Sequence, residues 1–108
     1  MTTPFRLVYV TTPSPEVALN IGRSVVNRHL AACANVLPGM TSVYWWQGQL
    51  NQDSEVVLIL KTHEDRLAEL TTAIKAAHPS DTPCIVALPI ISGNEEYLSW
   101  LRTETQLG

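Results

Sequence analysis

Charge is scarce in this chain. Asp, Glu, Lys and Arg together make up 16% of its 108 residues, against 45% apolar residues. A monomer ordinarily covers its surface with more solvated groups than that, so the composition leans toward contacts buried between subunits. Basic residues are scarcer still: seven Lys and Arg against ten Asp and Glu leave a net charge of -3. With no basic field to displace counterions from phosphates, nucleic acid is not an expected partner. No apolar run reaches the roughly 18 residues that cross a bilayer, and Met1-Thr2-Thr3-Pro4 has neither region of a signal peptide. The expected compartment is the cytoplasm, with no membrane partner. Cysteine is limited to Cys33 and Cys84, too far apart for a CxxC device, and in a reducing compartment two such thiols are ordinarily small buried hydrophobes. G-x-S-x-G, H-E-x-x-H and P-loop strings are missing, and His29, His63 and His78 all fall at helix ends, so no catalysis is expected.

What is present is organised around one stretch, Cys33 to Thr62. It reads as two long strands, rich in β-branched and aromatic residues, folded back on each other at Gln47-Gly48. Asn51-Gln52-Asp53-Ser54 is a rival turn. Before the hairpin, Phe5–Thr11 forms a strand and Ser14 caps a helix carrying Pro15 in its first turn, with Val17, Ile21 and Val25 along its apolar stripe and Arg28 and His29 in its last turn. Pro38-Gly39 marks a bulge or edge position in the first arm. A second helix starts at a Thr62 or His63 cap, turns Leu67, Leu70, Ile74 and Ala77 to the core and ends by His78-Pro79. Cys84–Ile91 reads as a fourth strand, at an edge because of Pro89, and Ser92 with Glu95 has the capping-box spacing for a final helix. The order β-α-β-β-α-β plus a terminal helix is the ferredoxin-like α+β pattern, one domain over residues 1–108, with both main helices on one face of the sheet. A fourteen-residue arm spans roughly 45 Å, whereas a domain of this size has a radius of gyration near 13 Å. The hairpin therefore overhangs its own domain, and the Tyr44-Trp45-Trp46 tip needs a covering partner. Homo-oligomerisation into a closed ring leaves fewer open edges than a dimer.

The residues also resemble a known family. Val10-Thr11-Thr12-Pro13, His29-Leu30-Ala31-Ala32-Cys33-Ala34-Asn35, Ser42-Val43-Tyr44-Trp45-Trp46-Gln47-Gly48, Lys61-Thr62, His78-Pro79, Ala87-Leu88-Pro89-Ile90 and Tyr97-Leu98-Ser99-Trp100 match, in order, the CutA family named for divalent-cation tolerance. The resemblance implies a tight homotrimer whose hairpins interlock around a threefold axis, with an architecture like that of the PII-type signalling proteins. It further implies a metal-response or small-ligand sensor without catalysis, for which the alternative is a rigid trimeric scaffold acting through a protein partner.

Candidate site residues fall in two groups. Copper binding proposed in the family uses a cysteine at the end of the first strand and a His-His pair before Pro; this chain has Thr11 and Ala77-His78 at those places. The loop Ser80-Asp81-Thr82-Pro83-Cys84 departs from the family pattern but adds a thiol, so His78, Asp81 and Cys84, completed by Cys33 of a neighbouring subunit, form a candidate site for copper or another divalent cation; no cofactor is otherwise required. Lys61 and Glu55 lie on one face of the second arm, either as an ion pair between strands or as part of a pocket for a small anionic ligand. By the resemblance, these two with Tyr44 and Trp46 line a cleft between subunits. Trp45 and Trp46 point to opposite faces, so only one of them can line it.

Overall fold

The computed structural model describes residues 3–106. β1 (Phe5–Thr12) leads into α1 (Pro15–Asn27), followed by β2 (Cys33–Trp46), β3 (Gln49–His63), a 3-10 turn (Glu64–Arg66), α2 (Leu67–Ala77), β4 (Ile85–Pro89) and α3 (Glu95–Thr105). The strands form one sheet in the order β2-β3-β1-β4, every neighbouring pair antiparallel, in a mixed α+β fold. Alternation along the strands divides the sheet. Val8, Val10, Leu58 and Leu60 are fully buried and pack with Ala18, Ile21 and Val25 of α1 and Leu70 and Ile74 of α2, each such aliphatic side chain contributing about 1.5–3 kcal/mol. The opposite face carries Leu7, Tyr9, Ile59, Leu37, Val86 and Leu88. At one end of it α3 lays Leu101 against Phe5 and Ala32. Much of the remainder is open, with Leu37 51%, Val86 49% and Leu88 48% exposed.

The hairpin turns at Gln47-Gly48, both residues left-handed (φ +51° and +77°), as a two-residue primed turn requires. The rival turn is excluded, because Asn51, Gln52, Asp53 and Ser54 pair in register with Tyr44, Val43, Ser42 and Thr41. The register shifts between Leu37 and Met40, where Gly39 takes φ +85°, so Pro38-Gly39 is the bulge. β1 pairs with β3 only from Val56 to His63. The seven rows from Met40–Glu55 to Trp46–Gln49 therefore have no third strand, and form a free ribbon roughly 23 Å long. It draws the molecule out to 44 Å along its longest axis.

Several boundaries differ from the sequence reading. α1 stops at Asn27, so Arg28 and His29 lie beyond its last turn. His29 adopts φ +57°, and the amides of Leu30 and His29 donate to the carbonyls of Val25 (2.9 Å) and Val26 (3.0 Å), closing a Schellman motif. Its Nδ1–H donates to the Glu104 carbonyl at 2.8 Å, which ties the ends of α1 and α3 together. His63 is the cap after β3, its Nδ1 accepting from the Asp65 amide, but a 3-10 turn precedes α2. Thr62 is instead buried, its hydroxyl donating to the Leu30 carbonyl at 2.7 Å. β4 is shorter than Cys84–Ile91 because its pairing with β1 runs only from Ile85 to Pro89. Asn94, not Ser92, caps α3, its side-chain oxygen accepting from the Glu96 amide at 3.0 Å.

Candidate functional site

A cleft of about 820 Å³ lies where the ribbon leaves the sheet, between its open face and the loop that follows α2. Pro79 builds that loop by pushing His78 out of the helical region, to φ -83° and ψ 136°. The His78 ring then staples it down. Nδ1 accepts from the Ser80 amide at 3.0 Å, which leaves the ring proton on Nε2 to donate to the Thr11 carbonyl at 2.8 Å. The loop thereby presents Asp81 and Cys84 to the cleft, opposite Tyr44, Trp46 and Glu55 on the ribbon. Trp46 lines the cleft and Trp45 does not, as alternation requires.

The ribbon wall is organised by pairs of side chains. Tyr44 donates its hydroxyl to Asp53 Oδ2 at 2.5 Å, and this bond, followed by lesser burial and the nearby carboxylates, holds its phenol above the usual value of 10. Tyr9 donates to Met40 Sδ at 3.3 Å across the cleft floor. Glu55 and Asp81 are the only charged side chains among the described lining residues, and no Lys or Arg joins them. A negative cleft with aromatic walls attracts a cation rather than an anion.

Within one subunit Lys61 stands apart from this cleft, so it could join Glu55, Tyr44 and Trp46 only across a subunit boundary, where the sequence reading placed them. It does share a face of β3 with Glu55, but six residues of extended strand separate the two by roughly 20 Å. Lys61 Nζ donates to Asn35 Oδ1 on the neighbouring strand at 3.2 Å and sits 5.6 Å from the centre of the Tyr97 ring, so its cross-strand partner among the described residues is an amide and not the carboxylate of an ion pair. Cys33 belongs to this second cluster, its Sγ 3.6 Å from the Tyr97 hydroxyl. Burial first, then the contact with Cys33, pushes the Tyr97 phenol above 10, while Lys61 pulls it the other way.

The four sulfur, nitrogen and oxygen donors named from the sequence are thus not assembled by one subunit. His78, Asp81 and Cys84 line one cleft and Cys33 lies at the far end of the same sheet face. Both His78 nitrogens are already spent, so a metal on Nε2 would have to displace the Thr11 carbonyl. Among the described residues no group of three or more His, Cys, Asp and Glu side chains converges as a metal site. Sequence reasoning passed over Asp53, Tyr9 and Met40. The first was within reach: with the turn placed at Gln47-Gly48, Tyr44 faces Asn51, and Asp53 is its diagonal neighbour on the same face.

Residues 6–104 match the family model described as CutA1 divalent ion tolerance protein. The Divalent-cation tolerance protein CutA of Thermus thermophilus is 48% identical over 99 residues, covering 92% of this chain and 96% of that protein. The rice Protein CutA 1, chloroplastic, is 46% identical over 97% of this chain, which spans only 59% of the rice protein's length. Among solved structures, the divalent cation tolerance protein from Thermus thermophilus superposes with a TM-score of 0.92 at 47% identity, over 94% of this chain and 99% of that one.

Proposed function

The chain belongs to the CutA1 divalent ion tolerance family, and from that membership we propose a ferredoxin-like, homotrimeric, non-catalytic protein that responds to a divalent cation taken up in the cleft. One observation carries the ligand's sign: Glu55 and Asp81 face the cleft with no Lys or Arg beside them. The names of the relatives point the same way. Cys84 and Met40 add sulfur near the carboxylates, and a donor from a second subunit would complete the coordination that one chain leaves unfinished. The trimer is supported by the third-strand-free ribbon and by the open apolar sheet face, which three copies packed face to face would cover. The sheet order β2-β3-β1-β4 is the one a split βαβ chain produces, which supports the ferredoxin-like reading. We place the protein in the cytoplasm on its own composition and its two free thiols, although the rice relative is named chloroplastic. No helix of the described residues is long and apolar enough to cross a membrane.

The same open apolar face favours a second reading, a trimeric scaffold that docks another protein. Tryptophan fluorescence separates the two. With Trp45→Phe and Trp100→Phe in place, Trp46 becomes the reporter of the cleft. Titration with Cu²⁺ or Zn²⁺ should give a saturable change, weakened about tenfold by Glu55→Gln, a loss near 1.4 kcal/mol. No saturable change with either ion, or an affinity indifferent to both Glu55→Gln and Asp81→Asn, would overturn the cation reading.

A further inference from the structure

We propose that a second pocket, at the junction of the 3-10 turn and the C-terminal end of α3, binds a small oxyanion through two guanidinium groups and an imidazole N–H. The pocket encloses about 340 Å³ and is lined by His63, Asp65, Arg66, Arg102, Thr105 and Gln106. It lies at the Lys61–His63 end of β3, away from the cation cleft at Glu55.

Its chemistry is set by donors without acceptors. Arg66 is buried, yet of its five N–H groups only Nε has a hydrogen-bond acceptor among the described residues, the Thr105 carbonyl at 2.7 Å. Glu69, one turn on, forms an ion pair with Nη1 at 3.7 Å, longer than a hydrogen bond and through a largely exposed carboxylate that solvent screens. No fully buried side-chain nitrogen or oxygen among the described residues lacks a partner, so the unspent Arg66 donors open onto the pocket's solvent. The Arg102 guanidinium has a π contact and no hydrogen bond among the described residues. Its guanidinium carbon lies 5.2 Å from the centre of the Phe5 ring. His63 packs edge-on against the same ring at 5.6 Å. Because His63 Nδ1 accepts from the Asp65 amide, its ring proton is on Nε2, a third donor. Phe5 thus braces two of the three groups. The Asp65 carboxylate is largely exposed, 3.5 Å from His63 Nδ1, and the Thr105 carbonyl is already spent on Arg66.

Planar guanidinium forks match the paired oxygens of a phosphate or carboxylate, and the Arg66 Nη groups, held in place by the Nε bond to the Thr105 carbonyl, are free to offer such an anion two parallel donors. A volume of 340 Å³ admits an oxyanion carried on a small metabolite, not a polymer.

The test uses the full chain at constant ionic strength. NMR follows the side-chain Nε–H signals of Arg66 and Arg102 during titration with inorganic phosphate and, separately, malonate. A saturable shift with at least one anion is expected. Arg102→Gln, at an exposed position that leaves the fold intact, should weaken it at least tenfold. Glu69→Gln, which removes the nearest competing carboxylate, should strengthen it. Phosphate binding alone would assign a phosphorylated ligand, and malonate binding alone a carboxylic acid. Shifts that rise linearly with both anions, or a saturable shift untouched by both substitutions, would overturn the proposal.

Discussion

Replacing Leu88 with Asp puts the proposed trimer to its most direct test. Leu88 lies on the open sheet face opposite Leu7, at the edge strand β4, and is 48% exposed in the isolated subunit. Full burial of a leucine is worth about 1.5–3 kcal/mol, so covering the exposed half contributes about 1 kcal/mol per copy. Three copies give roughly 3 kcal/mol, about a hundredfold in the association constant, which Leu88→Ala should remove. Asp adds the cost of desolvating an unpaired carboxylate, several kcal/mol for each copy, repeated three times around the axis. Light scattering of wild type should give three times the 11.9 kDa subunit mass, and Leu88→Asp the subunit mass itself. Circular dichroism keeps the result interpretable, since Leu88 points away from the Val8–Leu60 core and the variant monomer should retain its helices. A Leu88→Asp protein that remains trimeric would show that this face is not the interface, and a wild-type monomer would remove the trimer altogether.

Two further outcomes follow from local geometry. Gly22 packs α1 against β2 so closely that an added Cβ would lie 3.0 Å from the Ala34 Cβ; Gly22→Ala gains about 1 kcal/mol of helix propensity but incurs about 1–3 kcal/mol of overpacking, and thermal melting should show a net loss of stability. Asp53→Asn should bring the Tyr44 phenol back toward 10 in an alkaline ultraviolet titration; because the folded value is raised, the neutral Tyr44–Asp53 contact is complete below pH 10 and is lost as pH rises past it, and an unchanged titration would mean that Asp53 does not hold the phenol.

Features written in single residues were legible before the structure. Gln47-Gly48 and Pro38-Gly39 announced the turn and the bulge because left-handed backbone and a missing amide are properties of those residues alone. Ser14 and Pro15 fixed the start of α1 for the same reason. The ends were harder. His29 looks like a dipole-matched cation, and only its carbonyl partner on α3, 75 positions away, shows why a histidine occupies a left-handed site. Ser92 and Asn94 both suit a cap, and the choice between them depends on where Leu98 packs against the small cluster around Phe5 and Leu101. Ala77 has the helical spacing of a core residue, but α2 has already passed the sheet there and Ile74 is its last buried position. Within one subunit the candidate cleft was legible in Tyr44, Trp46, Glu55, His78, Asp81 and Cys84, but not in the distance that separates Lys61 from them. Equal spacing put Lys61 and Glu55 on one face, yet a face is about 20 Å long over those six residues, and the two ends of it have different chemistry.

The free ribbon gives this sheet two tiers of cooperativity. Backbone amides on the Val8, Leu58 and Leu60 rows open only when the packed core does, so their hydrogen exchange reports global unfolding. Those between Met40 and Trp46 are held in the subunit by one neighbouring strand alone, and an isolated two-stranded ribbon is marginal in water. Their protection is therefore lent by whatever covers the hairpin. If that cover is the proposed trimer, dilution should release it first, at a point where the helices still read as native, and this part of the sheet would then gauge subunit concentration.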